Sequence, residues 1–154
     1  MKILLLDFDI FLRLIVAVFL GGLIGINRFM HKKPAGVRTH ALVSLGAALM
    51  IALNGVISHD DAQAFSRVAQ GLITGIGFLG AGLIVHRSDN VVEGLTSAAS
   101  IWLTAAIGLA CGAGYIDIAA FVVILALLVI NLGGALERWA ERWMQRWRDD
   151  KSPH

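Results

Sequence analysis

Apolar residues run in long blocks separated by short polar breaks. Five stretches approach the roughly 20 apolar residues needed to cross about 30 Å of hydrocarbon: 10–26, 39–57, 68–85, 95–111 and 116–136. Arg13 interrupts the first near its start. The fifth is the clearest, with Asp117 at its entrance and Asn131 as its only strongly polar interior residue. No stretch keeps a period-two alternation, which argues against strands. In hydrocarbon every peptide N–H and C=O has to be satisfied within the protein, so runs this long and uniform are helices. The pattern predicts an all-α membrane protein. About five transmembrane helices form a polytopic domain over 1–136, and a separate amphipathic interfacial helix occupies 137–154. The first block lacks a small-x-small cleavage site followed by a soluble domain and is expected to stay as the first span.

Composition fixes the solvent. Of 154 residues 57% are hydrophobic and 16% charged, against roughly 25% charged in an ordinary soluble domain. Mean hydropathy is +0.75. A water-soluble chain of this size could not hide so much apolar side chain. The one cysteine, Cys111, allows no intrachain disulfide and is too few for a zinc site; it reads as a packing residue.

Charge placement sets the expected orientation. Arg28, Lys32, Lys33 and Arg38 follow the first span with no acid among them, and Arg138, Arg142, Arg146, Arg148 and Lys151 lie in the tail. Five crossings put both groups on one side, predicting an outer N-terminus and a cytoplasmic C-terminus. Arg67 beside Asp60 and Asp61 falls outside, and the loop 85–94, with Arg87 as its only base, is the weak point of the scheme. Asp9 stands four residues before Arg13, a favourable spacing for an ion pair. In the tail Trp139, Trp143 and Trp147 recur every four residues beside Leu136, Ala140 and Met144, with Arg138, Arg142 and Arg146 as a parallel stripe. Such a helix lies among headgroups, as an anchor for span five or a docking helix for a partner.

Small residues recur at four-residue spacing: Gly21/Gly25, Gly71/Gly75, Gly77/Ala81 and Gly108/Gly112, with Gly80 and Gly82 nearby. In lipid such faces let helix backbones approach closely, predicting a tight bundle in which one face could serve a homodimer. Gly75, Gly77 and Gly80 also match G-x-G-x-x-G, but without the strand–turn–helix setting that nucleotide binding requires. The polar residues cluster at span ends. Arg38, Thr39 and His40 stand at the cytoplasmic mouth of span two, with Glu93, Thr96, Ser97 and Ser100 at that of span four. Arg67, Gln70 and Thr74 enter span three from outside, and Asn54 lies near the outer end of span two. Arg38 and Glu93 fall on one membrane side and could pair, with His40 able to join them, as a polar clamp between helices or as a binding or proton-linked site.

Enzyme signatures are missing from the sequence: no G-x-S-x-G, H-E-x-x-H or Walker A. His31, His40, His59, His86 and His154 are scattered, without metal-ligand spacing. No catalytic residue, metal, cofactor or nucleic-acid partner is expected.

Leu20-Gly-Gly-Leu-Ile-Gly-Ile-Asn-Arg28 and Lys33-Pro-Ala-Gly-Val-Arg-Thr-His40 resemble the opening of the MgtC/SapB family. Gly75-Ile-Gly-Phe-Leu-Gly-Ala-Gly82 and Gly94-Leu-Thr-Ser-Ala-Ala-Ser-Ile-Trp102 resemble its later motifs, so the likeness covers residues 10–131. The matching positions are Arg28, Pro34, Arg38, Thr39, His40, Arg67, Gln70, Thr96 and the span-three glycines. Where the family often has an acid before the arginine ending span one, this chain has Asn27; where it often has a base before Gly-Leu-Thr, this chain has Glu93. The resemblance implies a bacterial inner-membrane protein in a short form, without the soluble C-terminal domain of longer members. It links relatives to growth at low magnesium and survival inside host cells, and one proposal has members restrain the proton-driven ATP synthase. The expected function is thus a non-enzymatic regulator acting by helix contact with a membrane-protein partner; the alternative is a small oligomeric ion transporter or channel.

Overall fold

The computed structural model describes residues 2–58, 62–86 and 92–150, with side chains described over 8–57, 62–85 and 92–146. His59, Asp60, Asp61, Arg87, Lys151 and His154 fall outside it, as do the side chains of Trp147 and Arg148. Two units are recognised, Met1–Val123 and Ile124–His154.

Five helices form in order: α1 Lys2–Met30, α2 Val37–Ser58, α3 Ala62–Ala81, α4 Leu95–Gly112 and α5 Ile116–Asp150. Between α3 and α4, β1 (Val85–His86) pairs antiparallel with β2 (Val92–Glu93), a minimal ladder that no alternation in the sequence foretold. Four segments are long and apolar enough to cross a membrane: Phe8–Met30, Val37–Ile57, Leu95–Gly112 and Ile116–Arg146. The third expected span, 68–85, is shifted to Ala62–Ala81, because the helix takes in Gln63, Ser66, Arg67 and Gln70. These residues keep α3 out of the apolar set. Connectivity still turns it back along the bundle. Arg28 near the end of α1 bonds Ser97 at the start of α4, and Arg13 near the start of α1 bonds Gly112 at the end of α4. Those two helices are therefore antiparallel. His40 at the start of α2 reaches Ser100 at the start of α4, so α2 and α4 run the same way. The chain must return from the end of α2 to the start of α4, and α3, with 20 residues, is long enough at about 1.5 Å per residue to cover roughly 30 Å.

The bundle is held by backbone approach at glycines. A Cβ built at Gly21 would stand 2.6 Å from the Ser44 Cβ and 2.7 Å from the His40 carbonyl oxygen, and one at Gly25 2.6 Å from the Val37 Cα. From α4, a Cβ at Gly108 would lie 2.2 Å from the Ser44 carbonyl oxygen, and one at Gly112 2.4 Å from that of Ala48. Thus α2 is clasped between the glycine faces of α1 and α4. Ala17, Leu20, Ile24, Ala48, Ile51, Ile107 and Cys111 fill what remains buried. Ile76 of α3 joins Ala47, Ile101 and Ala105 in a second apolar cluster.

Helix ends are closed by local bonds. Lys33 N–H donates to the Arg28 carbonyl at 3.0 Å and Lys32 N–H to that of Phe29 at 3.0 Å. This is a Schellman end with Lys32, at φ 53°, in the left-handed position usually given to glycine. The same motif closes α4, with Gly114 at φ 91°. In the second unit α5 runs on unbroken to Asp150. The expected boundary at 136/137 is no break, because Leu136-Glu-Arg-Trp-Ala-Glu-Arg-Trp143 is rich in helix-compatible residues and contains no proline. Trp139 and Trp143 are exposed.

Candidate functional site

Among the described residues the buried polar ones are Arg28, His40, Ser44, Ser97, Ser100 and Thr104. They sit where α1, α2 and α4 meet. Arg28 occupies the last turn of α1, where the negative end of the helix dipole favours a cation. It is 2% exposed. Its Nη2 donates to the Ser97 Oγ at 3.1 Å, and its Nε has no hydrogen-bond partner. No carboxylate is buried among the described residues, so a guanidinium stands inside the bundle held by a neutral hydroxyl.

His40 is fully buried. Its Nδ1 lies 3.0 Å from the Gly36 carbonyl oxygen and must donate. Its Nε2 lies 3.2 Å from the Ser100 Oγ, which is also 2.8 Å from the Ser97 carbonyl oxygen. The Ser100 hydroxyl has one proton and two acceptors. Given to His40, it leaves the ring neutral; given to Ser97, it requires Nε2 to carry a proton as well. One turn on, Thr104 donates to the Ser100 carbonyl at 2.8 Å. The Ser44 hydroxyl has no partner.

The expected trio of Arg38, His40 and Glu93 is not assembled around His40. Residues at i and i+2 point to different sides of a helix. His40 turns inward to Ser100, while Arg38 and Thr39 are exposed and Arg38 makes no ion pair among the described residues. Glu93 and Thr96 are exposed beside the buried Ser97. Arg67 and Gln70 stand on the exposed side of α3, far along the sequence from the cluster. Sequence reasoning missed Ser44 and Thr104, although each lies four residues after a cluster member (His40, Ser100), a legible helical spacing. At the opposite end a cavity of about 800 Å³ is lined by Asp9, Arg13, Asn54, Phe65, Gly112 and Tyr115 among others. There Arg13 pairs with Asp9 and donates to the Gly112 carbonyl at 3.1 Å.

Four of the glycines expected to pack helices do so: Gly21, Gly25, Gly108 and Gly112. Gly80 touches Ala98, with 3.6 Å from its would-be Cβ to the Ala98 Cβ, and Gly82 meets only its own helix end. At Gly71, Gly75 and Gly77 a Cβ would meet nothing within 4 Å. Gly71 and Gly75 line an apolar groove of about 600 Å³ with Met50, Leu53, Ile57 and Leu72.

Long apolar helices, glycine-clasped and locked by polar bonds between their ends, define a polytopic α-helical membrane protein. The chain belongs to the MgtC family, whose match covers residues 14–139, and is a bacterial membrane protein. It is 41% identical over 130 residues to the "putative magnesium transporter YhiD" of Escherichia coli, covering 80% of this chain and 60% of that one. It is 43% identical over 113 residues to the "protein MgtC" of Brucella abortus, covering 73% of this chain and 46% of that one. To the "protein SrpB" of Synechococcus elongatus it is 39% identical over 139 residues, covering 83% and 76%. The chain thus spans about half of the first two relatives. No solved structure matches it.

Proposed function

We propose that the chain is a non-enzymatic regulator in the bacterial inner membrane, with its N-terminus outside and its C-terminus cytoplasmic, that works by helix-to-helix contact with another membrane protein. The observation that carries this reading is the open pair Gly71/Gly75. The pairs Gly21/Gly25 and Gly108/Gly112 are consumed within the bundle, whereas Gly71 and Gly75 line a groove in which a Cβ would touch nothing. Close-packing faces of this kind are what drives helix association in lipid. The family resemblance supplies the proton-driven ATP synthase as first candidate for the partner, and adaptation to low magnesium or to life in a host as the setting.

The E. coli relative's name raises magnesium transport as the second reading. The interior of this bundle favours it less. Mg²⁺ takes oxygen ligands, carboxylates above all, and the buried polar residues offer a guanidinium and no carboxylate among those described.

Photo-crosslinking from the groove in native membranes, followed by purification in mild detergent, tests the proposal. A stoichiometric membrane partner is expected from the wild type and none from Gly75→Leu, whose Cβ meets nothing within 4 Å and whose side chain fills the groove. Unaltered capture by Gly75→Leu, or wild-type protein recovered alone, overturns it. Mg²⁺ flux into liposomes holding only this protein would establish the transporter instead.

A further inference from the structure

α3 is a crossing helix with a polar side. Taking 3.6 residues per turn, the positions turned inward are Ala64, Ile76 and Gly80, which are buried, with Leu72 partly so. Roughly opposite them run Gln63, Arg67, Gln70, Thr74, Gly77 and Ala81, all exposed. Their spacing alternates four and three residues, the seam of two helices crossing at a shallow left-handed angle. Thr74 Oγ1 donates to the Gln70 carbonyl of its own helix at 2.9 Å, and the Gln70 side chain is exposed. Carboxamides facing hydrocarbon are costly, so polar side chains in spans turn toward protein or water. These positions are exposed among the described residues.

We propose that the Gln70–Thr74–Gly77 stripe of α3 is covered by the same stripe of a second copy of this chain, about a two-fold axis along the membrane normal. The stripe is its own complement. A carboxamide both donates and accepts, so two Gln70 side chains meeting across the axis satisfy each other without any acidic or basic counterpart. Arg67, the one charge, lies toward the rim and is already engaged within its own chain. Past Thr74 the seam narrows to Gly77 and Ala81, which admit the closest approach where a two-fold pair needs it. Copies inserted in one orientation present parallel α3 helices, as this axis requires. The inference rests on α3 crossing the bilayer and leaves the Gly71/Gly75 groove, on another side of α3, free for a different partner.

The test is cysteine crosslinking in intact membranes. Native Cys111 is fully buried, so wild type is the blank. Gln70→Cys, Thr74→Cys and Gly77→Cys are compared with Gly71→Cys and Ile73→Cys, exposed positions on other sides of the same turns. The expected result is a product of two copies at 70, 74 and 77, several-fold more abundant than at 71 and 73. Monomer at all five positions, equal yields at all five, or a product containing a different protein overturns the proposal. As a second measurement, Gln70→Leu with Thr74→Val should turn a dimer into a monomer in mild detergent without lowering the Tm; a dimer that persists contradicts it. Gly75→Leu should keep the crosslinks at 70, 74 and 77, which separates failure of this proposal from failure of the regulator reading.

Discussion

Adding one methyl group at Gly108 tests how the bundle is held. The new Cβ would lie 2.2 Å from the Ser44 carbonyl oxygen and 2.8 Å from the Ser44 Cα. A carbon and a carbonyl oxygen in close but tolerable contact stand about 3.3 Å apart, so α2 and α4 must part locally by about 1 Å. The obstructing atoms are backbone and cannot swing aside, and the neighbouring contact at Gly112, 2.4 Å from the Ala48 carbonyl oxygen, is loosened with them. Overpacking of this kind costs about 1–3 kcal/mol, and backbone obstruction places Gly108→Ala at the upper end. Gly75→Ala meets nothing within 4 Å and is the control. In a water-soluble helix the change would gain about 1 kcal/mol from propensity, but helices largely persist in the SDS-unfolded state, so that gain cancels there. Titration of the detergent-solubilised protein with SDS should therefore show Gly108→Ala destabilised by about 2–3 kcal/mol and Gly75→Ala unchanged within about 0.5 kcal/mol. Equal stability of the two variants would refute the clasped arrangement of α2.

Other side chains give sharper local tests. Ser100→Ala leaves the His40 Nε2 without its partner and should cost about 1–3 kcal/mol in the same titration. Ser97→Ala removes the one hydrogen bond resolved for the Arg28 guanidinium and should cost about 1.5–3 kcal/mol, the range for a bond to a charged group. Arg28→Met replaces a buried cation that no buried carboxylate offsets among the described residues; it should be neutral or stabilising, by up to about 4 kcal/mol, and a loss of stability would show that the guanidinium holds the bundle. Lys32→Gly relieves the left-handed backbone at φ 53° and should raise the Tm, in line with about 1 kcal/mol for a non-glycine residue in that region.

The blocks of apolar residues located all five helices, because lipid demands length and uniformity that few other designs share. They began the third six residues late. There the polar residues 63, 67 and 70 sit on one side of a helix, and a count of apolar neighbours cannot tell a side from a break. The glycine pairs were legible as pairs, but which of them are filled depends on how each helix is turned, and the spacing within one helix is silent on that. Arg28 and Ser97 lie 69 positions apart, and nothing in either segment announces the other. That His40 does not join Arg38 has a reason the sequence did contain: two positions along a helix turn a side chain nearly to the opposite side.

The chain sorts its intramembrane polarity into two destinations. Arg28, His40, Ser97 and Ser100 turn inward and tie α1, α2 and α4 to one another. Gln70 and Thr74 turn outward, and the Thr74 hydroxyl returns to its own helix. The apolar contacts that hold α3, through Ile76 to Ala47, Ile101 and Ala105, are not directional, whereas the hydrogen bonds of the other three helices are. A neighbour covering the α3 stripe can therefore shift α3 against its apolar seat while leaving the Arg28–Ser97 and His40–Ser100 bonds intact. The element best placed to sense a partner is thus the one that the Arg28–Ser97 and His40–Ser100 bonds do not hold.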